Sequence, residues 1–106
     1  MSHPSKIKGN KFERDCCKLA EVFEIPNKRA WGSDGRSRGL AQEVDMVIED
    51  NIYVQCKKRK VLAKHLKPTK EIHVQFVGED RGENLAIMSQ DYYLSLIAMI
   101  KEFKDK

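Results

Sequence analysis

Long apolar runs are missing from this 106-residue chain. Nothing in it approaches the roughly 18 consecutive apolar residues that a membrane-spanning helix needs, so no membrane partner is expected. Met1 to Asn10 is polar and basic and holds no apolar core, so a secretory leader is not expected either. Cysteine is scarce and odd in number: three residues, two of them the neighbours Cys16 and Cys17, with no Cys-X-X-Cys. That argues against a disulfide framework and makes a reducing cytoplasm the expected compartment. A zinc site would have to be assembled from Cys16, Cys17, Cys56, His3, His65 and His73, whose spacing matches no metal-ligand pattern. Internal repeats and linkers are lacking too. At this length a single domain, residues 1–106, with one modest core is expected.

What is present is charge. Apolar residues make up 41% and charged residues 34%, a balance that suits a soluble globular chain rather than a disordered one. The net charge of +4 is modest, but its distribution is informative. Nine of the twenty Lys and Arg residues precede residue 39, and seven more lie between Lys57 and Lys70, a stretch with no acid. Acids gather instead at Glu43 to Asp50 and at Glu79 to Glu83. Two basic blocks around an acidic centre suit a polyanion held about a cation site. A lone basic run would read as a solvated face.

Lys8 to Glu24 reads as a helix, with Phe12, Cys16, Leu19, Ala20 and Phe23 forming one apolar stripe. Asn10 is placed to cap it, with Glu13 in capping-box position, and Pro26 stops it. A short strand at Lys28 to Trp31 leads into a glycine-rich basic loop, part of the segment Asn27 to Ala41. Trp31 is more simply a core or loop anchor than a base-stacking platform. Period-two patterning marks Glu43 to Ile48 and Ile52 to Lys57 as a hairpin. Lys58 to Lys67 reads as a short basic amphipathic helix or turn, with Val61, Leu62, His65 and Leu66 inward and Pro68 as its stop. Ile72 to Val77 follows as a strand with Ile72, Val74 and Phe76 on one face. After the turn Glu79-Asp80-Arg81-Gly82 comes a strand at Asn84 to Met88. Ser89 caps a last helix with Asp91 in its first turn. That helix carries Tyr93, Leu96, Ile97, Ile100 and Phe103 on one face, and Leu94, Ala98 and Met99 elsewhere. The broader apolar surface permits a dimer interface. The order of elements predicts an α/β fold in layers.

The hairpin carries the chemistry. A three-residue loop, Glu49-Asp50-Asn51, closed by Ile48 and Ile52, puts Asp45 opposite Gln55, with Asn51 in the left-handed region. A two-residue loop at Asp50-Asn51 would bring Cys56 opposite Asp45 instead. In the first register Asp45, Gln55 and Lys57 share a face. Phosphodiester hydrolysis needs such a set, because the anionic phosphate repels hydroxide unless a divalent cation neutralises it and activates water. Mg²⁺ favours one or two carboxylates with neutral oxygens and waters. Asp45 supplies a carboxylate, Gln55 an amide oxygen, and the Cys56 main-chain carbonyl a third donor. Lys57 is placed for the attacking water or the developing phosphorane charge. Glu13 joins the same cation if its helix packs across the hairpin. Each has a plainer alternative: a capping box for Glu13, a solvent-facing strand position for Asp45, and the start of a basic run for Lys57. Glu43 is the rival ligand.

Glu13 in Lys-Gly-Asn-Lys-Phe-Glu-Arg-Asp, Asp45 in Glu-Val-Asp-Met-Val-Ile, and Gln55-Cys56-Lys57 ending a strand together resemble the PD-(D/E)XK nuclease superfamily. Within it the likeness is to archaeal and phage Holliday junction resolvases, over Ile7 to about Arg59. Those proteins begin with a basic Lys-Gly segment and a helical Glu, pass through a Gly/Ser/Arg loop, and carry Glu-X-Lys soon after a strand Asp. The resemblance implies a restriction-endonuclease-like fold, a central mixed β-sheet flanked by helices. It implies a homodimeric, structure-selective DNA endonuclease acting on branched DNA with Mg²⁺, or Mn²⁺ in its place, and no small-molecule cofactor. Glu13, Asp45, Gln55 and Lys57 become its catalytic residues, the first three and Cys56 its metal ligands. Lys8, Lys11, Arg14, Lys28, Arg29, Ser33, Arg36, Arg38, Lys58, Arg59, Lys60 and Lys64 become its DNA contacts. The family usually has Glu where this chain has Gln55, which removes one negative charge and weakens metal affinity. A nuclease acting on other DNA substrates and a DNA-binding module without turnover are the alternative expectations.

Overall fold

The computed structural model of the chain describes residues 3–30 and 43–105. Trp31, Ser33, Arg36 and Arg38, with the rest of the glycine-rich stretch, lie outside the described residues. Two compact units form, Met1–Lys58 and Arg59–Lys106.

In the first unit, helix α1 spans Pro4–Val22. It starts four residues before the expected Lys8. Proline suits the first helical position, where its missing N–H leaves no bond unmade, and the N–H groups of Lys6 and Ile7 bond to the His3 carbonyl at 2.9 and 3.1 Å. Asn10 is thus well inside the helix, and the capping box with Glu13 does not exist. The helix ends in a Schellman arrangement. Glu24 adopts φ 59°, the Ile25 N–H bonds to the Ala20 carbonyl at 3.0 Å, and the Glu24 N–H bonds to that of Glu21 at 2.9 Å. Ala20 and Ile25, which the motif brings together, are both buried.

Strands β1 (Asn27–Arg29), β2 (Met46–Ile48) and β3 (Ile52–Val54) form an antiparallel sheet in that order, with α1 packed on β1. Ile48 pairs with Ile52 and Met46 with Val54, the register expected of the three-residue loop. The left-handed residues are Glu49 and Asp50, φ 57° and 63°, and not Asn51. Asn51 donates to the Ile48 carbonyl at 3.2 Å, so the tight turn is centred one residue earlier, with both central residues at positive φ. Ile25 and Met46 are the largest fully enclosed side chains here, each contributing about 2–3 kcal/mol by burial.

In the second unit, β4 (Val74–Gly78) and β5 (Asn84–Met88) make an antiparallel hairpin, followed by α2 (Gln90–Lys104). Ser89 caps α2 as expected, its hydroxyl accepting from the Tyr92 N–H at 3.1 Å. Between Arg59 and Ile72 only a single 3-10 turn, Lys64–Leu66, is regular, and it buries nothing. Of the amphipathic helix or turn expected over Lys58 to Lys67 only this turn forms, and its expected inward residues Val61, Leu62, His65 and Leu66 are all exposed. Phe76 of β4 is 82% exposed, while Leu94, expected off the main face of α2, is its one buried residue.

The α/β class stands, but the expected central mixed sheet is replaced by two small antiparallel ones among the described residues. Loop length is the reason. Strands β2 and β3 are joined by three residues and β4 and β5 by five, which allows only antiparallel pairing, whereas a parallel pair needs a crossover of a dozen residues or more.

Candidate functional site

The ladder between β2 and β3 stops at Met46–Val54, and the expected Asp45–Gln55 pair does not follow. Instead the Asp45 N–H bonds to the Val54 carbonyl at 2.8 Å. Val54 thus faces two successive residues, Asp45 and Met46, as at a β-bulge. Val44, Asp45 and Met46 are all buried in consequence, where a regular strand would alternate. On the other side Asp45 keeps step with β1, its carbonyl accepting from Ala30 at 2.9 Å. Asp45 therefore has two main-chain anchors and a side chain turned by the bulge rather than by strand parity.

Its carboxylate has a specific partner. Oδ2 accepts a 2.7 Å hydrogen bond from the main-chain N–H of Cys56. Among the described residues no donor engages the other oxygen. Burial raises the Asp45 pKa from its ordinary value; the Cys56 bond opposes this, the neighbouring negative charge of Glu13 adds to it, and Arg29 and Lys57 pull it back. Four charged groups, Glu13, Asp45, Arg29 and Lys57, thus share one electrostatic neighbourhood.

Glu13 sits on the inner stripe of α1 with Cys16 and Ala20, only 6% exposed. A carboxylate so placed costs several kcal/mol unless paired. Arg29 of β1 pairs it: Nε and Nη2 each lie 3.1 Å from Oε1. The same Nη2 donates to Asn10 Oδ1 at 3.3 Å. Asn10 and Glu13, three apart on one helix face, thus hold one guanidinium. The sequence reading missed this link and assigned Arg29 to DNA. The signal was faint: an Arg in a strand whose partner lies sixteen residues back.

Cys56 faces the interior. Burial pushes its thiol pKa up, and Cys16, to which it is hydrogen-bonded, pushes it further, with Asp45 and Glu13 adding to the effect. Such a thiol is protonated and a poor ligand for a hard cation. Tyr53, Gln55 and Lys57 form the exposed alternate of β3 and its continuation. The structure brings Glu13, Asp45 and the Cys56 main chain together with Arg29. It puts Lys57 within electrostatic reach of Asp45, and leaves the Gln55 side chain exposed with no hydrogen bond among the described residues.

The register that was to put Asp45 and Gln55 on one face does not form: Asp45 is buried while Gln55 and Lys57 lie on the exposed alternate, so the oxygens brought together are those of Asp45 and Glu13 beside the Cys56 main chain, with Glu13 shared with Arg29. Two carboxylates beside a main-chain carbonyl are hard oxygen donors, the kind that Mg²⁺ or Mn²⁺ takes together with waters. Among the described residues no three His, Cys, Asp or Glu side chains form a metal-binding group. Of the expected DNA contacts, Lys8, Arg14, Lys28, Arg59, Lys60 and Lys64 are exposed. Lys11 pairs with Asp15 at 2.9 Å, an exposed i,i+4 contact worth little. The Lys58 ammonium lies 4.8 Å from the centre of the Phe12 ring. No helix among the described residues is long and apolar enough to cross a membrane.

Comparison with protein-family models, with curated proteins and with solved structures finds no match to this chain.

Proposed function

We propose that this chain is a divalent-metal-dependent DNA endonuclease of the PD-(D/E)XK type, selective for branched DNA, with resolution of four-way junctions as its reaction. The observation that carries the reading is the bulged Asp45: a buried carboxylate, clamped by the Cys56 amide, beside Glu13 and within reach of the Lys57 charge. A carboxylate held with a raised pKa next to a second carboxylate is strained for a purely structural role, and it gains when a cation arrives. Bound Mg²⁺ supplies neutralisation of the phosphodiester and an activated water. Asp45 would hold it, with Glu13, itself balanced by Arg29, adding negative charge nearby and Gln55 offering its amide oxygen from the exposed alternate of the strand. Lys57 stabilises charge on the reacting phosphate. The basic run from Lys57 to Lys60 neutralises phosphates without regard to sequence, as a structure-selective enzyme requires. Two copies related by a two-fold axis would cut opposed strands symmetrically.

A specific feature favours a second reading, a DNA-binding module without turnover. Gln55 lacks the charge of the usual Glu, and Arg29 already offsets Glu13. One assay separates them. A labelled four-way junction and a linear duplex are incubated with the protein and Mg²⁺ or Mn²⁺, and again with Lys57→Ala and Gln55→Glu. The nuclease reading expects junction products that are lost in Lys57→Ala and increased in Gln55→Glu. Tight binding with no product from any of these proteins overturns it in favour of the module.

A further inference from the structure

The second unit contains a cavity of about 570 Å³, within the range of small-ligand sites. Its apolar wall includes Leu62, Leu66, Ile87 and Met88. Against that wall stand two aromatic rings, His73 and Tyr92, stacked with centroids 5.3 Å apart and planes 22° from parallel. Lys67 and Lys70 also line it, and no acidic side chain does. Asp91, in the first turn of α2, lies outside the lining. A hollow of similar size along Phe76 and Leu85 has no charged group to select a ligand.

The combination is selective in two senses. The ring pair offers a stacking surface for a flat aromatic group, which every nucleobase has. The two lysines, with no acid in the lining, favour an anion beside it, and the start of α2 at Ser89 and Gln90 adds the positive end of a helix dipole. Apolar walls without cations would suit a neutral hydrophobe, and lysines without rings would suit any anion. Together they specify an anion with an aromatic body.

We propose that this cavity binds a nucleotide, with its base against the His73–Tyr92 pair and its phosphate toward Lys67 and Lys70. The nucleotide is either a free monophosphate or an unpaired residue of a DNA strand. The site is independent of the nuclease reading, since it uses none of the residues assigned to cleavage.

The test uses the full chain in EDTA, so that hydrolysis plays no part. Ring resonances of His73 and Tyr92 are followed by NMR during titration with thymidine monophosphate and, separately, with oligothymidylate; strand affinity is measured by fluorescence anisotropy. Shifts with both ligands, or with the strand alone, support the site and, in the second case, identify a DNA strand as the source. Shifts with the monophosphate alone support it with a free nucleotide as the source. Tyr92→Leu should weaken binding of the effective ligand about tenfold, and Tyr92→Phe should leave it within about twofold. Replacing Lys67 and Lys70 with Ala should lower the salt dependence of strand binding by about 0.7 in log–log slope per lysine, a readout that does not need the Tyr92 variants to fold. Unmoved resonances with both ligands overturn the proposal. So does an unchanged salt slope in the lysine variant when the strand is the ligand, or unchanged monophosphate affinity there when the monomer is.

Discussion

The main-chain N–H of Cys56 points at Oδ2 of Asp45 across 2.7 Å, and that bond joins the end of β3 to the bulge before β2. It holds the carboxylate where Glu13 raises its proton affinity and where Lys57 lowers it. Structural carboxylates are normally placed where the surroundings favour their charge. Asp45 is placed where burial works against it, and the balance has measurable consequences.

The first concerns pH. The folded pKa of Asp45 is raised above its ordinary value of 3.8, so the native state binds the proton more tightly than the unfolded chain. Stability from this group is present below that ordinary value and is lost as pH rises through the folded pKa. Asp45→Asn keeps an oxygen for the Cys56 N–H and removes the titration. The variant should be more stable than the wild type at pH 7, with the difference vanishing in acid. Urea denaturation across pH 4 to pH 8 measures it, and a variant less stable at neutral pH would refute the account.

Metal should reverse the sign. A cation that binds only the folded form adds about 2.7 kcal/mol at one hundred times its dissociation constant. Mg²⁺ or Mn²⁺ should raise the thermal midpoint of the wild type by several degrees and leave Asp45→Asn unmoved. Equal shifts in both proteins would place the cation elsewhere.

Arg29 is expected to matter for folding before it matters for DNA. Arg29→Ala strips the guanidinium from a Glu13 that is 6% exposed, and should cost about 3 kcal/mol at neutral pH. Adding Glu13→Gln should recover part of that loss, because an amide buries more cheaply than a charge. Denaturant titration of the two single variants and the double variant gives the coupling. Additive losses would mean that the pair does not act as a unit.

Two backbone positions call for opposite substitutions. Gly9 lies inside α1 with open space where a Cβ would go, so Gly9→Ala should stabilise by about 0.5–1 kcal/mol. Glu24 holds φ 59° at the helix end, so Glu24→Gly should also stabilise, by about 1 kcal/mol, whereas Glu24→Val should destabilise. Thermal midpoints read all three.

Much of the local structure was legible in the sequence because local rules governed it. Ser89 capped α2, Asn84 to Met88 formed a strand, and the pairing of Ile48 with Ile52 followed from turn length and parity. Where the reading failed, a rule of longer range intervened. Helix α1 begins at Pro4, before the expected cap, and Asn10 and Glu13 inside it bond Arg29 instead of capping it. Helical period put Leu94 off the main face of α2, yet it is that helix's one buried residue; burial depends on what lies opposite, and periodicity does not report that.

By itself the sequence determined the alternation of helix and strand, the turn that sets the β2–β3 register, and the concentration of bases around a few acids. Those follow from side-chain period, capping chemistry and charge, all properties of neighbours along the chain. Only tertiary structure decided that Asp45 leaves its expected partner at a bulge, that Glu13 is buried against Arg29, and that His73 and Tyr92 stack in one cavity. Each of these is a contact between distant segments, whose gain exceeds any local preference only after the chain has closed on itself.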